Sequence, residues 1–272
     1  MFLIAVGDRV AKIAWFSLSR NDGGQIDWHK RSIAKLAGSE LPKHDPQIEA
    51  VCADGGGRIL LLQETPPRVE LIDLDALEAI ALIDLVMEGR GEIAQAWSDP
   101  KGSRGEGVVL LPGGHLLVAK EKKPAALIEF GPPHSRSQGL VRGGALADGK
   151  RWPIRKGRHQ FVALAIWLPD KILAKTCADF SDLEIGPDGC LYLLSDKSST
   201  IARLDDLPAG GWHRGARQCV AARRSGWQAG RSRIHCRGSR DRRAGHAEGT
   251  PKPRAAGAGG CAARPWPKGG TE

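Results

Sequence analysis

Three pairs of acidic residues recur in this chain at nearly constant spacing: Glu49 with Glu64, Glu106 with Glu121, and Asp182 with Asp196. The members of a pair stand 15, 15 and 14 residues apart, and each interval holds an apolar run, a Gly-bearing turn and a second apolar run. If the leading acids Glu49, Glu106 and Asp182 converge, they form a set of hard oxygen donors, which suits calcium better than zinc. The structural alternative is that they accept hydrogen bonds from backbone N–H groups or pair with neighbours such as Arg104. The trailing acids Glu64, Glu121 and Asp196 lie beside Lys120, Lys122, Lys123 and Lys197. These positions read as a rim with contacts for an anionic ligand, or as turn-capping acids on a solvated edge, since loops carried by a rigid scaffold commonly hold sites.

The elements that position these acids are a repeat. IEAVCADGGGRILLLQE (48–64), GEGVVLLPGGHLLVAKE (105–121) and SDLEIGPDGCLYLLSD (181–196) share one grammar, and each leads into a third apolar run, VELIDL, ALIEF or TIARL. Runs this short, bounded by Gly, Pro and Asp, predict strands rather than helices. Asp54-Gly55, Pro112-Gly113 and Asp188-Gly189 supply hairpin turns, with Gly57, Gly114 and Gly189 expected at equivalent tips. LDALEAIAL, which could be helical, is read as two strands, VELIDL and AIALIDL, joined at DALE. FVALAIWL (161–168) resumes the sheet after an irregular stretch, Pro132 to Arg158, expected on the surface. A repeat of this kind predicts an all-β fold of antiparallel blades, propeller-like, because a lone blade cannot bury its two faces. The innermost strand of each blade would line a central channel. Up to residue 207 the chain offers about four blades' worth of sequence, so an incomplete ring is expected.

Composition divides the chain at Pro208. Residues 1–208 are the expected propeller-like domain, with repeats near 48–74, 105–130 and 181–205. From Ala209 to Glu272 there is no Leu, Phe, Tyr, Met or Asn, and 12 Arg and 2 Lys face 3 acids, a formal +11; the whole chain is +9, so residues 1–208 carry −2. Such a tail cannot bury enough apolar surface to fold alone. Its three Trp and three Cys (Trp212, Trp227, Trp266; Cys219, Cys236, Cys261) fit an out-of-frame or otherwise non-native segment better than a disordered linker or a nucleic-acid arm. Nucleic acid is therefore not the expected partner despite the basic charge; an unidentified small molecule or protein is.

The first residues, MFLIAVGDRVAKIAWF, make a poor signal peptide and are too short for a membrane span. GDRVAKIAWFSL reads as a strand, and a cytoplasmic location follows only if this start is genuine. No run of 18 apolar residues is present. Cys52, Cys177 and Cys190 follow no metal or redox spacing, and Cys52 and Cys190 read as buried thiols. His115 aligns with Arg58 and Cys190 in the other copies, which argues for a structural histidine. The sequence holds no G-x-S-x-G elbow, phosphate-binding loop or dinucleotide fingerprint.

SRGEGVVLLPGGHLLVAKEKKPAALIEFGP and DFSDLEIGPDGCLYLLSDKSSTIARLD resemble the SdiA-regulated and esterase-like phytase-domain β-propellers, and more distantly the gluconolactonase and bacterial phytase propellers. The resemblance covers roughly Ile48 to Asp205. It implies a five- or six-bladed ring with calcium in the channel, Glu49, Glu106 and Asp182 matching the blade-opening acids. Beyond Leu207 no further blade is readable, and the catalytic residues of phytases are not recognisable. The function expected is a binding module of unknown ligand. The alternative is a metal-assisted hydrolase of phosphate or carboxylate esters, with Glu49, Glu106 and Asp182 as ligands and Lys120, Lys122 or Lys197 contacting the anion.

Overall fold

A computed structural model describes residues 2–7, 9–17, 28–33, 36–54, 56–89, 91–99, 103–140, 154–204, 207 and 218–223. The chain divides into Met1–Gly230 and Arg231–Glu272, and the described residues all lie in the first unit.

The repeats fold as antiparallel blades. The first is β4 (Ile48–Ala53), β5 (Arg58–Gln63), β6 (Arg68–Asp73) and β7 (Glu78–Val86). The second is β8 (Gly105–Leu110), β9 (Leu116–Lys120), β10 (Ala126–Gly131) and β11 (Gly157–Trp167). The third is β12 (Asp182–Ile185), β13 (Leu191–Ser195), β14 (Thr200–Leu204) and β15 (Gln218–Arg223). A separate three-stranded sheet precedes them: β1 (Phe2–Val6), β2 (Lys12–Ser17) and β3 (Trp28–Ser32). Two short helices, α1 (Glu92–Ser98) and α2 (Lys171–Thr176), cross between elements. The fold is thus all-β and propeller-like, and the opening strands β4 and β12 both pack against β8.

The three hairpins are the same object. Backbone N–H groups of Asp54, Leu111 and Gly186 donate to the carbonyls of Arg58, His115 and Cys190, four residues on, at 3.0, 2.8 and 2.9 Å. Gly57, Gly114 and Gly189 take φ of 87°, 86° and 71° at equivalent tips, a conformation for which glycine has no Cβ penalty. The 15, 15, 14 spacing therefore arises at the other end of the hairpin. In β4 and β8 the register slips by one residue between Ile48 and Ala50 and between Gly105 and Gly107. The extra residues of these β-bulges are Glu49 and Glu106. In β12 the pairing runs without a slip, so the third copy is one residue shorter.

Burial explains the composition of the strands. RILLLQ of β5 is buried at every position because it has packed neighbours on both faces. Leu60 and Leu62 join the inter-blade core, while Ile59 and Leu61 pack with Ile13, Ile33 and Leu41 beneath the N-terminal sheet. LLVAK of β9 is likewise buried throughout. In the third blade burial alternates, with Leu191 and Leu193 inside and Leu194 and Ile201 at 37 % and 46 % exposure. That is the pattern of a blade packed on one face. Around β8 the space is tight: a Cβ on Gly105 would stand 2.7 Å from Leu62 of the first blade, and one on Gly107 2.6 Å from the Leu183 nitrogen of the third.

Four expectations need correction. The predicted strand 7–18 begins only at Lys12: β1 ends at Val6, and Gly7 donates to the Lys12 carbonyl at 3.2 Å. β11 begins at Gly157, inside the stretch expected to be irregular, and Leu140 of that stretch is buried and exchanges backbone hydrogen bonds of 2.7 Å with Leu207. The break at Pro208 does not end the sheet, because β15 pairs with β14 from Gln218↔Leu204 to Thr200↔Arg223. Lys120 is not exposed on a rim but fully buried. The remainder of the basic tail, 208–217 and 224–272, lies outside the described residues. No helix among the described residues is long and apolar enough to cross a membrane.

One connection is not blade-like. β11 continues past β10 and pairs in parallel with β7, from Gly157↔Ala81 to Val162↔Val86. The first two blades become one eight-stranded sheet in the order β4-β5-β6-β7-β11-β10-β9-β8. Its two terminal strands lie against each other, so the sheet nearly closes on itself.

Candidate functional site

The bulges at Glu49 and Glu106 and the turns after β5 and β9 share one end of the blades. Glu106 is half-buried there. Desolvation, then the charges of Glu49, Glu121 and Glu64, push its carboxyl up to about 8, against the opposing pull of Lys122. Four carboxyl groups from two blades thus share one electrostatic environment, and at neutral pH Glu106 keeps its proton.

Two of the cations beside them, Lys120 and Lys122, are already engaged. Lys120 donates from Nζ to the Lys122 carbonyl, and burial lowers its pKa. Its equivalents Gln63 and Ser195 are also buried and also bond the turn that follows: Gln63 Nε2 to the Thr65 carbonyl at 3.1 Å, and Ser195 Oγ from the Ser198 N–H at 3.3 Å. This is a turn-anchoring position in every blade. Lys122 pairs with Glu121 and is held above its usual pKa by that hydrogen bond. Lys197 is exposed in the turn after β13.

The trailing acids also join neighbouring blades. Glu64 accepts the Arg104 backbone N–H on Oε1 at 3.0 Å, and the Arg104 guanidinium reaches the Glu64 carbonyl, Thr65 Oγ1 and the Trp97 carbonyl at 3.2, 2.9 and 2.7 Å. One blade further on, at the position equivalent to Arg104, the Phe180 N–H donates to the Glu121 carbonyl at 3.0 Å. Asp196 accepts from the Ser181 hydroxyl at 2.9 Å, its own backbone N–H donates to the Ser181 Oγ at 3.1 Å, and its carboxyl, interacting with Asp179, is held below the usual carboxylate range.

Asp182 has different surroundings. Desolvation raises its pKa against a 2.8 Å bond from the Leu183 N–H. Burial pushes the Cys52 thiol of β4 up to about 12 and raises Glu184, the neighbour of Asp182 on the same face of β12, and the Asp182 charge adds a smaller push to each. The three leading acids therefore divide two and one. Among the described residues no three His, Cys, Asp or Glu side chains are grouped closely enough to hold a metal ion.

Two buried polar assemblies escape the repeat logic. His115 Nδ1 lies 2.6 Å from Glu129 Oε1, and Glu129 also accepts from Ser137 Oγ, Gln138 N and Gly139 N at 2.7, 2.8 and 3.0 Å. Burial alone would raise the Glu129 pKa, but these bonds outweigh it and leave it lowered. At the equivalent tip of the first blade, Arg58 Nε bonds Asp54 Oδ2 at 2.6 Å. The signal for the former was a glutamate inside the apolar run ALIEF, a position a buried strand leaves charged only if partners surround it.

No family model and no curated protein matches the chain. Among solved structures it is similar to a streptogramin B lyase, at 12 % identity and TM-score 0.36 over 74 % of this chain and 47 % of that one. It is also similar to virginiamycin B lyase from Staphylococcus aureus, at 14 % identity and TM-score 0.36 over 80 % of this chain and 57 % of that one. The chain spans about half the length of these proteins.

Proposed function

We propose that this protein is a propeller-type binding module that takes a cationic group, an ammonium or guanidinium, at the end of the blades where Glu49, Glu64, Glu106 and Glu121 gather. The position of Glu106 carries this: it is half-buried at the bulge of β8, and burial first, then the charges of Glu49, Glu121 and Glu64, push its carboxyl up to about 8. A carboxyl that burial and neighbouring negative charge keep protonated can exchange that proton for a cation. The anion-binding alternative is left with Lys197, because Lys120 is buried and Lys122 is paired with Glu121. The repeat grammar is the basis for regarding the chain as akin to the SdiA-regulated and esterase-like phytase-domain propellers, with calcium as a second candidate cation.

Calorimetric titration with spermidine and, separately, with CaCl2 at pH 6.5 and pH 8.5 tests the reading. Spermidine is expected to bind more tightly at the higher pH, with proton release at the lower one, and Glu106→Gln is expected to remove the pH dependence. Equal affinity at both pH values, or none, overturns it. Calcium binding without spermidine binding would favour the metal-dependent reading. Calcium-stimulated hydrolysis of a phosphate or carboxylate ester would then revive the hydrolase alternative.

A further inference from the structure

At the far end of the second blade from these acids lies a partly open cleft of about 170 Å³ lined by Gly113, Gly114, Pro132, Arg155, His159 and Phe161. Each wall has a structural reason. Gly113 and Gly114 turn the β8–β9 hairpin with positive φ, and the Gln138 side chain packs on that turn, its amide nitrogen in the space that a Cβ on Gly113 would take. Pro132 follows directly on β10, and Phe161, 5 % exposed, belongs to β11. His159 is fixed to the wall by Nε2, 2.7 Å from the Arg155 carbonyl.

The charges of this segment are unequal. Lys156 pairs with Glu78 at 3.1 Å, and Arg158 pairs with Asp84 at 3.0 Å and Glu40 at 3.3 Å. Arg155, the cation that lines the cleft, has no carboxylate partner among the described residues. The nearby Glu129 does not serve, because its oxygens already accept from four donors. The lining thus offers one unmatched guanidinium and an imidazole, with no acid, beside apolar surface from Phe161 and Pro132. A cavity of about 150 Å³ is enough for a benzene ring, a guanidinium grips a carboxylate through two parallel N–H bonds, and rings pack favourably against rings.

We infer that this cleft is a binding site for a small carboxylate with a flat apolar body, its charge on Arg155 and its ring against Phe161 and Pro132, with the His159 imidazole as a side wall. The site is independent of the acidic end and opposite to it in charge preference. Benzoate is the probe, with inorganic phosphate and benzyl alcohol as partial mimics, followed by ligand-observed NMR and calorimetry on the full chain. Benzoate is expected to bind more tightly than either mimic, and about tenfold more weakly to Arg155→Gln. His159→Gln is expected to weaken it less, and Glu106→Gln to leave it unchanged. Arg155 is exposed, so its replacement does not threaten folding, and Phe161→Leu checks the apolar wall without emptying it. The inference is overturned if benzoate does not bind the folded protein, if Arg155→Gln binds it as well as wild type, or if phosphate binds as tightly as benzoate.

Discussion

Arg104 holds Glu64 by two separate bonds: its backbone N–H meets the carboxylate at 3.0 Å, and its guanidinium meets the Glu64 carbonyl at 3.2 Å. The residue just before the second blade thereby closes over the residue that follows β5 in the first. The side chain, buried to 6 % exposure, also donates to the Trp97 carbonyl and to Thr65 Oγ1. Arg104→Met leaves three acceptors without their donor and is expected to cost about 3 kcal/mol. Arg104→Lys recovers little of this, because an ammonium cannot reproduce the planar fork. Urea denaturation measures it; a loss below about 1 kcal/mol would mean the junction is held by packing alone.

Glu106 gives the molecule a pH dependence of stated sign. Its folded pKa is raised from 4.5 to about 8, so between those values the folded state binds more protons than the unfolded one. Stability contributed at this position is then fully present below 4.5 and falls as pH climbs toward 8. Glu106→Gln should be more stable than wild type at pH 8.5 and nearly equal to it at pH 4.5. Thermal melts across that range decide it, and a parallel offset at all pH values would refute the linkage.

Gly107 is where the third blade meets the second. A Cβ there would lie 2.6, 2.9 and 3.0 Å from the Leu183 nitrogen and the Asp182 carbonyl carbon and Cα, all backbone atoms. Gly107→Ala must push β12 away and is expected to destabilise by about 1–3 kcal/mol. Amide exchange should show the loss in β12 to β14 rather than in β4 to β6. A neutral alanine would mean the two strands have room to part.

Glu129 gathers His115, Ser137, Gln138 and Gly139 around one carboxylate held below its usual pKa. Its contribution is present above the ordinary carboxylate pKa of 4.5 and is lost as pH falls through the depressed folded value. Glu129→Gln should cost about 3 kcal/mol at pH 7 and make the acid-unfolding transition shallower. Unchanged acid unfolding would place the responsible carboxylates elsewhere.

The repeat was readable because everything that defines it is local. Hairpins, tip glycines and strand partners lie within a few residues of one another, and Asp, Gly and apolar runs mark them. The bulges at Glu49 and Glu106 were present in the sequence as a spacing of 15 against 14, yet spacing alone cannot say whether the extra residue sits in the turn or the strand. The helices at 92–98 and 171–176 are too short for a 3.6-residue period to show. β15 was hidden because QCVAAR sits in a segment of foreign composition and forms only by adding to the β14 edge. The acids of the candidate site were readable as positions, but the separation of Asp182 from Glu49 and Glu106 depends on packing between blades. The burial of Lys120 became clear only beside Gln63 and Ser195, polar residues at the same place in their blades.

The parallel seam between β7 and β11 makes the first two blades respond to force as one body. Its six residue pairs, Gly157↔Ala81 to Val162↔Val86, run side by side in the same direction. Tension applied along the two strands in opposite senses loads the whole ladder in shear, and no single rung can open ahead of the rest. The hairpin edges, by contrast, can peel one bond at a time. Stretched in an optical trap, the segment from Ile48 to Trp167 is expected to give way in a single large step, while β12 to β14 detach earlier and at lower load.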